Sequence, residues 1–403
     1  MNLENLPART IVRAIAAAAR RWSDADFPAR VRVAQRIVKR TGYSAPVVDY
    51  SLDRLFFPID EPALTATIES ELGSLAALDG FAPSRGRPDA WARPAGRVCV
   101  IASRTTIGVA LAPALFALCA KCDVVVKDRE DALVGSFFGT LWHEIPEFAF
   151  AARASPWKAA ENGAALDDCA VVVAFGRDET LREIRNGLHA DCRFVGFGSR
   201  ASAGYVARET LQDAEPVRAA VDGAARDLVL YESEGCLSLH ILFVERAAAF
   251  DAFCEQLAKA VERAGLEFPI GAPEPAIAAA RAQRRGLGMF RASAGSGMVF
   301  SNAACEYVLL DAAASDPPHF LPRTLGILAV DSPDEAAAYL RRHRIAIEGF
   351  ALSSAREDIV RAAVQSGAAR LTAFGQLQDP PFEGRHGGRQ RIADFVSWVE
   401  RSL

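Results

Sequence analysis

The chain has no long apolar run. No window of its 403 residues approaches the ~20 consecutive apolar positions that a membrane-spanning helix needs, so no membrane span is expected. Blocks of one charge are missing too. Lys and Arg number 46 against 50 Asp and Glu, a net charge of −4 with no basic cluster, which sets nucleic acid aside as a main partner. The opening MNLENLPARTIVRAIAAAARRW carries Glu4 and breaks its apolar stretch with arginines, so it has neither the hydrophobic centre nor the cleavage site of a signal peptide. There is no G-x-G-x-x-G, which removes the usual dinucleotide fingerprint. No internal repeat is visible at the ~20–50-residue periods of solenoids and propellers. Cysteine is present but unorganised: Cys99, Cys119, Cys122, Cys169, Cys192, Cys236, Cys254 and Cys305 are scattered, mostly in apolar patterns. Cys119 and Cys122 form a C-x-x-C that closes a helical pattern, and no second pair completes a metal set, so no metal site is expected. Without a secretion signal these thiols are expected to be reduced, in a cytoplasm.

What is present is an ordinary globular composition, 51% hydrophobic and 24% charged. The length suffices for two domains at ~100–200 residues each. Residues 1–90 show mostly helical spacing, with Asp60 before Glu61-Pro62 as a helix start. Gly80 to Pro94, rich in proline and glycine, reads as a linker or long arm. From Gly96 apolar strands alternate with helices: Val98–Ala102, Val124–Lys127, Ala170–Ala174 and Phe194–Phe197 are strands. After Cys236 the alternation resumes with Ile241–Val244, Thr324–Val330, Ile345–Phe350 and Leu371–Phe374. The tail after Phe374 reads as ending in a helix. Continuous apolar strands alternating with helices predict an α/β fold with a parallel sheet covered on both faces. Such sheets bind nucleotides at the carboxyl ends of their strands, here near Ala102, Lys127 and Ala174.

The candidate chemistry centres on Cys236 in YESEGCLSLHILFVE. Small and polar neighbours, Ser233, Gly235 and Ser238, precede an apolar run, a junction that exposes a sulfur at a cleft mouth. A helix N-terminus there would favour the thiolate. The plain alternative is a small buried hydrophobe. Glu234, two residues away, either raises the thiol pKa or exchanges protons with it. His240 suggests a Cys–His pair, but its apolar flank favours a structural histidine. The loop Ser103-Arg104-Thr105 after the first strand offers backbone N–H groups to an anion. Lys127 and Arg129 either accept a 2′-phosphate or form a solvated charge cluster. Gly176 and Arg177 form a glycine turn entering a helix, with Asp178 as its cap.

Several of these segments together resemble the aldehyde dehydrogenase superfamily, and most closely its LuxC-type acyl-CoA reductases. Ser-Glu-Gly-Cys-Leu-Ser resembles the nucleophile segment, and VVVAFGRDETLREIR and RFVGFGSRASAGYV resemble the paired segments before it. The similarity runs from about Trp22 onward. It implies an aldehyde dehydrogenase-like fold: a helical region over 1–90 packed on the cofactor domain, a Rossmann-like cofactor domain over 91–232, a catalytic domain over 233–370, and a segment over 371–403 returning to the cofactor domain or a partner subunit. It implies Cys236 as nucleophile and NADP, or NAD, as cofactor. The cofactor would be held by Ser103, Thr105, Lys127, Arg129, Gly176, Arg177, Gly196 and Gly198. Arg104 stands where the family commonly carries an oxyanion-binding Asn. Gly196 stands where ordinary aldehyde dehydrogenases carry the glutamate that activates water, and its absence points to acyl transfer without hydrolysis. Glu234 replaces the usual Gln, and Pro322-Arg323 lies where the family's Glu-x-Phe-Gly-Pro segment would be. The implied function is reduction of an acyl-CoA to an aldehyde through an acyl-cysteine, in a homo-oligomer served by an acyl-activating partner enzyme. The altered positions support an alternative, a binding or scaffold subunit of a multi-enzyme assembly. A cysteine hydrolase using Cys236 and His240 ranks behind both.

Overall fold

The computed structural model describes all residues except 1–2, 85–86, 104–105, 128–131, 273, 296, 303–306, 312–316 and 403. The chain forms two compact units. One comprises Met1–Thr41, Val48–Gly198 and Pro381–Leu403; the other comprises Gly42–Val47 and Ser199–Pro380.

The first unit begins with helices, as the spacing predicts. Helix Ala8–Ser23 buries Ile11, Val12, Ile15, Ala18, Ala19 and Trp22 on one face. Helix Glu61–Leu72 is capped by Asp60, whose side chain accepts from the Ala63 N–H at 2.7 Å. The proline-rich arm expected after Gly80 forms two antiparallel strands instead, β1 (Ala82–Ser84) and β2 (Arg87–Pro94). Five parallel strands follow: β3 (Arg97–Ile101), β4 (Asp123–Lys127), β5 (Ala152–Ser155), β6 (Val171–Phe175) and β7 (Arg193–Phe197), in the order β5-β4-β3-β6-β7. Trp22, Phe56 and Phe137 stack between the N-terminal helices and helix Leu133–Glu144, with ring centroids 5.1–5.9 Å apart.

The second unit is built on seven strands: β8 (Ala201–Val206), β9 (Leu239–Glu245), β10 (Val299–Asn302), β11 (Tyr307–Asp311), β12 (Thr324–Val330), β13 (Ile347–Leu352) and β14 (Arg370–Thr372). Their order is β10-β11-β12-β9-β8-β13-β14, parallel except for the antiparallel pair β10–β11. β8 and β9 are buried along their whole length, as strands covered on both faces are. Helices Pro333–Arg342 and Glu357–Gln365 contribute Leu340 and Ile359 to a core layer with Tyr205, Phe243, Ile347 and Phe350.

Both neighbours of β8 carry an irregularity at the same level. Ser202 pairs with Leu239 and Ala203 with Ile241, leaving His240 as an extra residue on β9. Ala201 pairs with Ile347 and Ala203 with Phe350, which inserts one residue on β13 around Glu348-Gly349. Bulges of this kind re-aim side chains near functional sites.

The last strand, β15 (Val396–Arg401), returns to the first unit and pairs antiparallel with β2. A helix is expected there from the sequence. The β-branched and aromatic content of FVSWVE lets β2 capture it as a strand.

Candidate active site

Cys236 lies in a tight turn that enters β9, closed by the Ser238 N–H donating to the Gly235 carbonyl at 3.0 Å. The following element is a strand, so Cys236 does not sit at a helix N-terminus. Three neighbours hold the turn. Ser202 of β8 donates its hydroxyl to the Cys236 carbonyl at 2.8 Å and accepts from the Gly349 N–H at 3.0 Å. Gln378 donates to the Ser238 hydroxyl at 2.7 Å. Asp227, fully buried in helix Ala214–Val229, accepts from the N–H groups of Gly375 and Leu377 at 2.7 and 3.1 Å and so fixes the loop that carries Gln378. Burial raises the Asp227 carboxyl to about 7 against these stabilising N–H groups.

The half-buried Cys236 thiol is pushed up to about 12. Burial is the main cause, and the Glu348 carboxylate adds to it; the backbone N–H groups of Cys236 and Leu237 and the Arg200 guanidinium oppose it. Cys236 is therefore a protonated thiol at rest. Glu348 is largely buried on β13, with Arg200 Nη1 3.5 Å from its Oε2.

Glu234 accepts from the Tyr43 hydroxyl at 2.9 Å, and burial raises its carboxyl. Tyr43 comes from the segment Gly42–Val47, which belongs to the same unit as the nucleophile. His240 is buried on the bulge of β9, its Nε2 2.9 Å from the Ser233 carbonyl and its ring edge against Phe320. Burial lowers it to about 4, so the imidazole is neutral, as a structural histidine should be.

The approach to the turn is strained. Tyr231, Glu232 and Ser233 have φ of 55°, 54° and 57°, three successive left-handed residues without a glycine. Arg323 restrains them. Its fully buried guanidinium places Nε 2.9 Å from Glu232 Oε2, donates to the Phe268 carbonyl at 2.6 Å, and its backbone N–H donates to Ser233 Oγ at 3.1 Å. The residue at the family's Glu-x-Phe-Gly-Pro position thus serves as an internal clamp.

The cofactor candidates lie in the first unit. Arg104, Thr105 and Arg129 fall outside the described residues. Ser103 follows β3. Lys127 ends β4, its ammonium 3.2 Å from Asn162 Oδ1 and 5.3 Å from the Trp157 ring centroid, and burial lowers its pKa. Arg177, not Asp178, is the cap of helix Asp178–Asn186. A Cβ at Gly196 would meet the Phe194 ring at 2.8 Å, and one at Gly198 would meet the Asp178 carboxylate, so side chains of the protein lie against both glycines. A Cβ at Gly176 would meet nothing closer than 4.0 Å, which leaves that backbone open to close approach by a ligand. Lys127 with Asn162 and the open face of Gly176 fit an adenine dinucleotide at the strand ends. The helix N-terminus with Asp178 and Glu179 in its first turn does not favour its pyrophosphate.

The sequence does not single out Ser202, Asp227, Gln378 or Glu348. Glu348 left a visible signal, a lone carboxylate in the apolar run IAIEGFAL. Among the described residues no group of three or more His, Cys, Asp or Glu side chains could hold a metal ion, and no helix is long and apolar enough to cross a membrane.

Comparison with known proteins adds three findings. The family model described as Acyl-CoA reductase (LuxC) matches residues 3–398. The long-chain acyl-protein thioester reductase 2 of Photobacterium leiognathi is 23% identical over 277 residues, 65% of this chain and 56% of that protein's length. Solved structures of similar fold include aldehyde dehydrogenase 21 from Physcomitrella patens in complex with succinate (TM-score 0.75, 10% identity, 98% of this chain and 86% of that one). They also include the NAD-dependent benzaldehyde dehydrogenase of Corynebacterium glutamicum (TM-score 0.71, 14% identity, 98% and 86%). The glyceraldehyde-3-phosphate dehydrogenase of Methanocaldococcus jannaschii, complexed with NADP, has a TM-score of 0.72 at 11% identity over 98% and 90%. The fold is aldehyde dehydrogenase-like.

Proposed function

The chain belongs to the acyl-CoA reductase (LuxC) family, and from that premise we propose that it reduces an acyl-CoA thioester to an aldehyde through an acyl group carried on Cys236. The observation that supports this most is the nucleophile turn. Hydrogen bonds from Ser202 and, through Ser238, from Gln378 fix it at the amino end of the central buried strand β9.

In this reading Cys236 Sγ attacks the thioester carbonyl and coenzyme A leaves. Gly196 offers no carboxylate to activate water, so the acyl-cysteine resists hydrolysis. Lys127 and Gly176 would hold the nicotinamide cofactor, which when bound supplies the hydride that converts the acyl group to aldehyde. Lys127 together with Arg129 favours NADP over NAD by its charge toward a 2′-phosphate. An acyl-activating partner enzyme, a homo-oligomer and a cytoplasmic setting belong to the same reading.

One observation favours a second reading, a binding or scaffold subunit: the thiol held up at about 12 is unactivated. Incubation with short and long acyl-CoAs and NADPH separates the two. Mass added to Cys236 and NADPH consumption, both lost in Cys236→Ala, support the reductase. Neither signal with any chain length leaves the scaffold.

A further inference from the structure

The bulge on β13 and the Arg200–Glu348 pair have no part in the steps above, yet both converge on Cys236. Regular strand alternation would not place both Ile347 and Phe350 in one core layer, and both are there. The inserted residue resolves this and sets Gly349 against the nucleophile turn, with Glu348 next to it in the chain. Gly349 meets that turn directly: its N–H reaches the Ser202 hydroxyl that holds the Cys236 carbonyl, and a Cβ on it would lie 3.4 Å from Leu237 Cδ2. Glu348 is thus a carboxylate 7% exposed, one residue from this contact, with Arg200 at 3.5 Å. Burial of a lone charge there would be unfavourable without such a partner.

We propose that Glu348, paired with Arg200, is the proton acceptor for the Cys236 thiol. The assignment rests on the acyl-transfer reading. As the Sγ–carbon bond forms, the thiol proton passes to the Glu348 carboxylate, directly or through one water. When the bond from carbon to the coenzyme A sulfur breaks, Glu348 returns that proton to the departing thiolate, and no electron is gained or lost. Until substrate arrives the proton stays on sulfur, which accounts for a resting thiol that ionises poorly. The other ionisable groups around the turn are suited to different parts. Glu234 is engaged by Tyr43, His240 is neutral, and Asp227 acts one link behind, through the loop that carries Gln378.

The test uses the full-length protein as wild type, Glu348→Gln and Arg200→Gln. Iodoacetamide alkylation of Cys236 is followed by mass spectrometry across about pH 6–10, a readout that a merely structural role would not shift. Single-turnover acylation by octanoyl-CoA and hexadecanoyl-CoA is followed in parallel. Removing the neighbouring negative charge should lower the thiol pKa by about one unit, so E348Q should be alkylated about tenfold faster below that pKa. Acylation of the same variant should slow by roughly 10²–10⁴-fold, because the acceptor is gone. R200Q should be alkylated more slowly than wild type. An E348Q protein acylated as fast as an acylated wild type overturns the Glu348 assignment alone. If E348Q does not accumulate folded, R200Q alkylated no more slowly than wild type also overturns it. A wild type that takes no acyl group overturns the acyl-transfer reading instead, and the transfer step with it.

Discussion

Arg323→Ala should destabilise the second unit far more than a typical substitution. The guanidinium is fully buried, and its removal leaves Glu232, 6% exposed, with the Gly271 N–H at 3.2 Å and the more distant charge of Arg281. The Phe268 carbonyl loses its 2.6 Å donor as well. Breaking a buried pair by removing one partner costs about 3–5 kcal/mol. At about 2–4 °C per kcal/mol for a unit of this size, the corresponding melting transition should fall by roughly 6–20 °C. The three left-handed residues lose their clamp at the same time, so nucleophile reactivity should change with stability. The pH dependence has a definite sign. Burial already raises the folded-state pKa of Glu232, with Arg323 opposing that rise. Without Arg323 it rises further, so the penalty is fully present at neutral pH and shrinks as pH falls through that raised value. Differential scanning calorimetry at about pH 7 and pH 5 reads this directly. A shift under about 2 °C, or a loss that grows on acidification, would refute the clamp. Adding Glu232→Gln should restore part of the loss, because the stranded charge disappears.

Three further outcomes are expected. Asp227 titrates near 7 in the folded chain, so its share of stability is present below the unfolded carboxyl range and is lost as pH rises toward about 7; Asp227→Asn should flatten that slope in melting curves taken across the interval. Removing both charges at Lys127 and Arg129 should weaken NADPH binding more than NADH binding in titrations, and equal losses would point to general electrostatics. Acyl enzyme formed without NADPH should persist, and added coenzyme A should discharge it faster than water does. Rapid release of free acid that is lost in Glu234→Gln would instead make Glu234 a base for water.

The parallel-sheet architecture was legible where strands are apolar runs between helical patterns, as in β4, β6 and β12, whereas β5, with the sequence ARAS, and β8, with ASAGYV, carry no such run and do not read as strands. Cys236 was legible as a junction residue. The surroundings of Cys236 were not. Ser202, Glu348 and Gln378 lie 34, 112 and 142 positions away; strand register brings the first two to the turn, and the loop held by Asp227 brings the third. A bulge that shifts Glu348 by one position leaves no mark in local composition. Arg323 reads from sequence as a departure from the family motif, whereas its partner Glu232 sits 91 positions earlier in a backbone conformation that no residue type there announces. The terminal strand was misread for a related reason: FVSWVE finds its conformation from β2, about 300 positions upstream.

The central claim is that Cys236 carries the acyl group. Intact-mass measurement after incubation with hexadecanoyl-CoA, first without and then with NADPH, tests it most directly. One acyl adduct should form, localised to Cys236, absent from Cys236→Ala, and discharged as aldehyde when NADPH is added. An unmodified wild-type chain with no NADPH oxidised, or an adduct that persists in Cys236→Ala, would contradict it.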